Sequence, residues 1–236
     1  MLDRLPAVGI PWEAYTRANV IGAAEVVEKL EAAHCEWLLI GFESMSDKTL
    51  RDMDKRVSAS QNERAFELLA PSRIALRTSF IVGFPGETPE EYEHTHQFIV
   101  ERLSGRFGVH AFVLVDETMP VWKDAERHRL EVVDPITWSH AGMDSATAVT
   151  LRERTLTDAR WKSEHAVLSL WQIGYERPLV PELDDRANMR IEKQIERLAF
   201  LVRDFGETPE AERRGRAAID ELRHLGITQS APATAP

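Results

Sequence analysis

The segment from Gly83 to Thr88, with the sequence GFPGET, has the composition of a tight corner in the chain. It follows the apolar run Ser79 to Val82 and precedes a helical pattern that begins at Pro89. A glycine-rich corner between a strand and a helix can present backbone N–H groups, which hold an anion or lie against a flat cofactor. The same pattern also forms a plain turn into a capped helix, so the segment alone leaves both interpretations open.

A second polar pair, Glu43 and Ser44, follows the apolar run from Glu36 to Phe42. A carboxylate accepts hydrogen bonds from hydroxyl or ammonium groups, and a serine hydroxyl both donates and accepts them. The pair therefore indicates a polar ligand, with a solvated strand end as the alternative. A phosphate loop is the weakest interpretation of the corner, because Glu87 stands where such a loop carries lysine.

Cys35 is the only cysteine among the 236 residues. A disulfide within the chain is therefore excluded, and an iron–sulfur cluster takes three or four thiolates. We interpret Cys35 as a small buried hydrophobe, the usual role of a free cysteine next to an apolar run. His94 and His96 would point to different faces of a helix, and His140 has no second ligand pattern nearby. We therefore expect no metal site from these residues.

The composition, 43% hydrophobic and 29% charged, is that of an ordinary globular protein. A formal net charge of −10 argues against nucleic acid as a partner, since that affinity rests on lysine and arginine. A local basic patch around Arg51, Lys55 and Arg56 stays open as an exception. No apolar run is long enough to cross a membrane, and the first residues lack a signal pattern. We therefore expect a cytoplasmic protein.

Helical and strand patterns alternate along the first half of the chain, which predicts an α/β fold with a parallel sheet covered by helices. A helical stripe comes first, and Ser46 and Pro89 mark the starts of two later helices. Two further helical patterns lie near the end of the chain. The predicted elements are helices over 20–30, from Ser46, 61–70, from Pro89, 191–205 and 209–225, and strands over 36–42, 76–82 and 109–115.

Two segments together resemble the radical S-adenosylmethionine (SAM) superfamily, in the branch with cobalamin-binding and methylthiotransferase-like members. They are HCEWLLIGFESMSDKTLRDMDKR, His34 to Arg56, and RTSFIVGFPGETPEEYEHTHQFI, Arg77 to Ile99. The resemblance covers Pro11 to Val115. It implies an incomplete parallel barrel over 1–125, followed by a mainly helical region over 126–227, and we expect a disordered tail over 228–236.

The resemblance also implies a set of SAM-binding residues. Glu43 and Ser44 resemble the fourth-strand acid and hydroxyl, which approach the ribose and amino-acid end of SAM. The fifth-strand corner of the family packs beside adenine. The residues that resemble this corner are Ile81, Gly83, Phe84 and Pro85.

Three departures from the family pattern limit what the resemblance implies. The C-x-x-x-C-x-x-C loop that holds the family's [4Fe–4S] cluster is absent, and the resemblance begins near the third barrel strand. Met45 stands where the family has glycine, beside the expected SAM contact. Arg56 stands where glycine often ends the short helix that follows.

The first hypothesis is accordingly a radical SAM-type fragment or subunit that contributes the SAM-facing barrel rim and a substrate-side cap. Its cofactor would be SAM, with a [4Fe–4S] cluster only if another chain or a missing segment supplies the thiolates; cobalamin dependence, substrate and catalytic residues stay unknown. The alternative is a non-catalytic descendant that binds a ligand or partner. The expected partners are a cluster-bearing subunit or a second copy of the chain at an open barrel edge.

Overall fold

A computed structural model describes residues 6, 9–169 and 178–227 of the protein. The chain divides into two compact units, Met1–Ser169 and Leu170–Pro236. Each unit has its own secondary structure and is described by itself.

The first unit is built on a parallel five-stranded sheet with the strand order β1-β2-β3-β4-β7. Helices separate the consecutive parallel strands, as the alternation in the sequence predicts. The predicted α/β fold with a partial, barrel-like parallel sheet is therefore confirmed. The five strands are β1 (Trp12–Thr16), β2 (Cys35–Glu43), β3 (Ala75–Val82), β4 (Gly105–Ala111) and β7 (Ala166–Leu168).

Six α-helices and a small hairpin complete the first unit. A π-helical turn, Phe98–Arg102, directly continues the fourth helix, and 3-10 turns cover Ala18–Val20 and Pro120–Asp124. The hairpin strands are β5 (Glu131–Asp134) and β6 (Thr137–Ser139), and the helices are α1 (Ala24–Ala32), α2 (Asp47–Asp52), α3 (Ala59–Leu69), α4 (Pro89–Gln97), α5 (Ala125–His128) and α6 (Ser145–Lys162).

Local capping explains where the helices begin. The Ser46 side chain accepts a hydrogen bond from the Thr49 N–H at the start of α2, as predicted. Thr88 and Glu91 form a reciprocal capping box at the start of α4, with Pro89 at the first helical position. The carboxyl end of β3 is thereby tied to a helix start whose position is fixed by the sequence.

One face of the sheet packs against helices through an aromatic cluster. The Phe42 ring centroid lies 5.9 Å from that of Phe80 and 6.1 Å from that of Phe98. Phe66 on α3 extends the cluster, 5.4 Å from Phe98. Because alternate strand residues point to opposite faces, the residues between these phenylalanines face the other way. We call that opposite side of the sheet the inner face.

Two features of the first unit differ from the sequence prediction. The strand expected over 109–115 lies at Gly105–Ala111, because Arg106 and Phe107 pair with β3 and the chain then leaves the sheet. The first unit also extends to Ser169, beyond the boundary expected at residue 125. Helix α6 packs on β4, and the short strand β7 pairs with it, so both belong to the sheet unit.

The second unit contains two helices among its described residues, α7 (Asp185–Phe205) and α8 (Pro209–His224). They cover the two helical patterns predicted in this part of the chain. Gly215 on α8 meets Leu201 on α7, where an added Cβ would lie 2.9 Å from Leu201 Cδ2. The predicted tail over 228–236 lies outside the described residues. Within the described ranges, no helix has the length and apolar character to cross a membrane.

Candidate ligand-binding site

Three small residues lie side by side on the inner face of the sheet. Gly41 on β2 is paired with Ser79 on β3, and Ser79 is paired with Gly108 on β4. All three are half-buried. Neighbouring strands are about 4.8 Å apart, so this small-residue row spans about 10 Å across three strands.

Glu43 stands over one end of the small-residue row. A bulge between Gly41 and Glu43 shifts the register of β2, and Glu43 adopts a left-handed backbone with φ of 60°. A side chain on Gly41 would collide with Glu43 Oε1, so the carboxylate occupies the space above the glycine. A left-handed backbone conformation costs a non-glycine residue about 1–2 kcal/mol. Strained residues of this kind cluster at functional sites.

Lys55 completes this end of the site. Its Nζ donates a hydrogen bond of 2.7 Å to Glu43 Oε1, and a Cβ on Gly41 would lie 3.3 Å from the same Nζ. The Glu43 and Lys55 side chains are 16% and 25% exposed, so both can still reach a ligand. The result is an ion pair at the carboxyl end of β2.

His110 stands over the other end of the row. A Cβ on Gly108 would lie 2.9 Å from His110 Nε2, so the imidazole lies over the glycine. Burial lowers the His110 pKa, and the Arg152 guanidinium lowers it further, while Glu43 opposes both. The imidazole is therefore neutral at pH 7. Ile81 is its paired neighbour on β3.

Arg152 links helix α6 to the edge of β4 beside His110. Its Nε donates to the Val109 carbonyl over 2.9 Å, beyond the point where β4 pairs with β7. Its Nη1 lies 2.5 Å from Glu153 Oε1. The carboxylate on β2 and the imidazole on β4 are thus accompanied by an ammonium from the loop after α2 and a guanidinium from α6.

Ser44 is placed differently from Glu43. The side chain is fully buried, and its hydroxyl lies 3.4 Å from Thr95 Oγ1 on α4. It also accepts the Ser46 N–H over 3.1 Å, so it orders the turn into α2. Met45, the family departure beside it, is turned into the core with 7% exposure. Neither side chain lies on the inner face.

Gly83 is required by packing at the corner, the segment Gly83 to Thr88. Its φ is 86°, and an added Cβ would lie 2.5 Å from Trp138 Cη2 and 2.8 Å from Ala148 Cβ. Its N–H donates to Glu87 Oε2 over 2.7 Å, and its carbonyl lies 3.3 Å from His140 Nε2. Both polar groups of Gly83 are thus bonded within the protein.

Two further N–H groups of the corner are also engaged. The Gly86 N–H points to His140 Nδ1 at 3.4 Å, and the Glu87 N–H donates to the Phe84 carbonyl over 2.9 Å. An anion would have to displace these contacts. This arrangement disfavours the phosphate-loop interpretation and shows the corner as an internally bonded turn.

Glu87 is a buried acid inside the corner. Its side chain is fully buried, and burial raises its pKa to about 8. The carboxyl is therefore protonated at pH 7. The Thr49 hydroxyl lies beside it and lowers the pKa in part, although neither Thr49 Oγ1 nor Glu87 Oε1 makes a hydrogen bond of good geometry.

The remaining corner residues are packed against a hairpin. Phe84 is half-buried, with its ring centroid 5.3 Å from that of Phe112, and Phe112 lies 5.8 Å from Trp138. Pro85 is buried. Of the six residues predicted to approach SAM, Glu43 and Ile81 therefore share the inner face. The other four shape the loops behind it.

The histidines and the cysteine singled out in the sequence have structural environments. His140 stacks on Trp138, and His96 lies 3.0 Å from Thr155 Oγ1 and 3.3 Å from Asp158 Oδ2. Cys35 is buried, and burial raises its thiol pKa to about 12. A neutral thiol is not a metal ligand. The described ranges hold no group of three potential metal ligands.

The basic patch considered around α2 is divided between two places. A cavity of about 310 Å³ is lined by Arg51 and Arg56 together with Asp47 and Asp54. Arg56 pairs with Asp54 over 3.3 Å, whereas Lys55 turns away to Glu43. Acids balance the bases, so the cavity lacks the one-sided charge that a phosphate backbone requires.

Comparison with known protein families matches residues 7–99 to the radical SAM superfamily. The match ends in the π-helical turn that follows α4, so it includes β2, β3 and the corner, but not His110. The family resemblance read from the two motif segments is confirmed.

Two curated proteins are similar in sequence to this chain. A bacteriochlorophyllide d C-12(1)-methyltransferase of Chlorobaculum tepidum is 30% identical over 102 residues, covering 43% of this chain and 22% of the relative. A ribosomal protein uS12 methylthiotransferase, RimO, of a Synechococcus species is 28% identical over 202 residues, covering 78% and 42%. The chain thus spans less than half the length of these relatives.

A solved structure supports the fold. The radical SAM methyltransferase TsrM of Kitasatospora setae, with tryptophan substrate and a SAM analogue bound, has a TM-score of 0.50 and 14% identity. The similarity covers 96% of this chain and 50% of that chain. At this identity, the comparison shows a shared fold alone.

Sequence reasoning did not select Ser79, His110 or the Lys55 contact with Glu43. Ser79 could have been found by counting two residues back from Ile81, because alternate strand residues share a face. His110 depends on the pairing of β3 with β4, for which the sequence has no local signal.

The residues of the chain fit the two cofactors of the superfamily differently. The inner face carries the Glu43 carboxylate and the Ser79 hydroxyl, which can hydrogen-bond to a nucleoside-containing ligand such as SAM. A [4Fe–4S] cluster does not fit, because the 236 residues contain one cysteine and its thiol is buried and neutral. We therefore assign no step to a cluster held by these residues.

Proposed function

We propose that the chain contributes the SAM-binding rim of a radical SAM-type active site. The observation that supports this proposal most is the left-handed backbone of Glu43, whose carboxylate lies over Gly41 and is held there by Lys55. The match of residues 7–99 to the superfamily supports SAM as the ligand. A segment or chain outside these 236 residues supplies the thiolates of any cluster.

Each inner-face residue has a role set by its chemistry. Glu43 accepts hydrogen bonds from the ribose hydroxyls or the ammonium of SAM, and Lys55 holds the carboxylate in its orientation. Ile81 gives an apolar wall beside adenine, and Ser79 offers a hydroxyl between the two ends. A cluster, when bound, supplies the electron that cleaves SAM reductively.

The other four residues predicted for the site act from behind the rim. Ser44 orders the turn after β2, and Gly83, Phe84 and Pro85 form the packed corner after β3. We propose that they hold the strand ends in position and make no direct hydrogen bond to SAM.

Calorimetric titration of SAM into wild type, Glu43→Gln and Glu36→Gln tests this proposal. Glu36 is the exposed residue near the opposite end of β2, so its variant is the matched control. A charge-assisted hydrogen bond contributes roughly 1.5–3 kcal/mol, so Glu43→Gln should bind about 10- to 100-fold more weakly. Wild-type binding that Glu43→Gln leaves unchanged, or no binding at millimolar SAM, would contradict the proposal.

The edge strand β1 favours a partner as a second element of the function. Among the described residues, β1 pairs with β2 alone, and its Tyr15 side chain is 63% exposed. We propose that a cluster-bearing subunit or a second copy of this chain pairs with β1. The same pairing applies if the chain is a non-catalytic descendant. Light scattering during size-exclusion chromatography tests it: a dimer that Tyr15→Lys converts to monomer supports the copy, and a wild-type monomer excludes it.

A further inference from the structure

Exposed apolar side chains meet where the chain after β4 runs beside the β5–β6 hairpin. We define the apolar patch as Val115, Val133 and Ile136, which are 72%, 83% and 68% exposed. The Leu114 N–H donates to the Pro135 carbonyl over 2.9 Å, and each patch residue lies within two positions of this hydrogen bond. The backbone thus brings apolar residues from two separate segments together at the surface.

The backbone beneath the apolar patch is held in place by hydrogen bonds. The Asp134 carboxylate accepts the Ile136 and Thr137 N–H groups over 2.9 and 2.8 Å, which closes the hairpin turn. The Trp138 indole N–H donates to the Phe112 carbonyl over 3.0 Å and joins the hairpin to the chain after β4. A partner would therefore meet a preformed surface, which reduces the conformational entropy lost on binding.

Acidic residues flank the apolar patch in both segments. The ranges 113–117 and 131–136 contain four acids and no base, and the acids are exposed: Asp116, Glu117, Glu131 and Asp134. The Thr118 hydroxyl holds the pKa of Asp116 below its usual range, and the Ile136 N–H does the same for Asp134. The rim of the apolar patch is therefore negatively charged at pH 7.

We propose that the apolar patch is a docking surface for a protein segment that carries apolar side chains flanked by lysine or arginine. Exposed apolar surface with a polar rim is typical of protein interaction sites. Burial of the apolar side chains supplies affinity, and the complementary charges select the partner. None of the patch residues belongs to the proposed SAM site, so the docking surface is tested independently of SAM binding.

The charge of the rim disfavours two other occupants. A second copy of the chain would bring like charges together, and each copy carries a formal net charge of −10. A nucleic acid or an anionic lipid surface would be repelled for the same reason. The acidic rim thus favours a basic protein segment.

Fluorescence anisotropy with a short labelled peptide of alternating leucine and lysine tests the docking surface. Wild type should bind this peptide at least about tenfold more tightly than a matched peptide of leucine and glutamate. Ile136→Ser should bind the lysine peptide roughly tenfold more weakly than wild type, because the burial of one isoleucine side chain is lost. Val149→Ser changes a valine on α6 that is 48% exposed, and this matched control should bind as wild type does.

A second variant tests the charge of the rim. The double substitution Glu117→Gln and Glu131→Gln should weaken binding of the lysine peptide about threefold at low salt, and this difference should shrink at about 0.5 M salt. Circular dichroism should show that all variants are folded. Equal losses in Ile136→Ser and Val149→Ser, equal binding of the two peptides, or no binding at millimolar peptide would overturn the proposal. A wild-type dimer that Ile136→Ser converts to monomer in light scattering would also overturn it, because the occupant would then be a second copy.

Discussion

Replacing Glu87 by glutamine should remove a loss in the free energy of unfolding that wild type undergoes as the pH rises. The Glu87 carboxyl is fully buried, and burial raises its pKa from 4.5 to about 8. The nearby Glu91 raises it slightly, and Lys48 lowers it. The folded protein therefore keeps this proton over a pH range in which the unfolded chain has released it.

The direction in which stability changes with pH follows from whether the folded or the unfolded state binds more protons. Between the unfolded and folded pKa values, the folded state binds more, so the free energy of unfolding falls as pH rises. The contribution is fully present below about pH 4.5 and is lost above about pH 8, at roughly 1.4 kcal/mol per pH unit. The whole window, from 4.5 to about 8, amounts to a loss of about 5 kcal/mol.

Glu87→Gln keeps an acceptor for the Gly83 N–H and adds a donor beside Thr49, without a titrating proton. Urea unfolding across the range from about pH 5 to pH 9 should show the two proteins nearly equal in acid and the variant more stable above about pH 8. Glu90→Gln, an exposed position on the same helix, should give a constant difference from wild type. Parallel curves for wild type and Glu87→Gln would refute the reasoning.

Two further substitutions test backbone positions. Gly83→Ala should destabilise the fold by about 3 kcal/mol through its clash with Trp138 and Ala148, whereas Gly226→Ala, at φ of 83° in open space after helix α8, should cost only about 1 kcal/mol. Equal losses in urea unfolding would contradict the packing argument. Arg56→Gly should raise the unfolding midpoint by about 2 °C, because φ there is 56°. Arg51→Gly, in helix α2, should lower it, and a decrease in both variants would refute the strain at Arg56.

The sequence predicted best the features that neighbouring residues decide. Ser46 and Thr88 cap their helices through contacts three residues away, so the pattern alone placed the helix starts. The apolar runs that form β2 and β3 also consist of consecutive residues, so the sequence alone indicated these strands. The sequence placed β4 too late in the chain, because its buried arginine, Arg106, interrupts the apolar pattern that marks a strand.

The candidate site was predictable only where a motif pointed to it. Glu43 and Ile81 were selected from the family resemblance and do share the inner face. The bulge that turns Glu43 over Gly41 is a backbone irregularity with no sequence signal. Likewise, the fit of Trp138 against Gly83 joins residues far apart in the chain, so the sequence had no signal for this packing role of the glycine.

The most direct test of the proposed site is a crystal structure of the chain soaked with S-adenosylhomocysteine, a stable analogue of SAM. The account predicts density along the row of Gly41, Ser79 and Gly108, with a ligand hydroxyl or ammonium within hydrogen-bond distance of Glu43. Density at the corner from Gly83 to Thr88, or in the cavity beside Arg51, with the row empty, would contradict it.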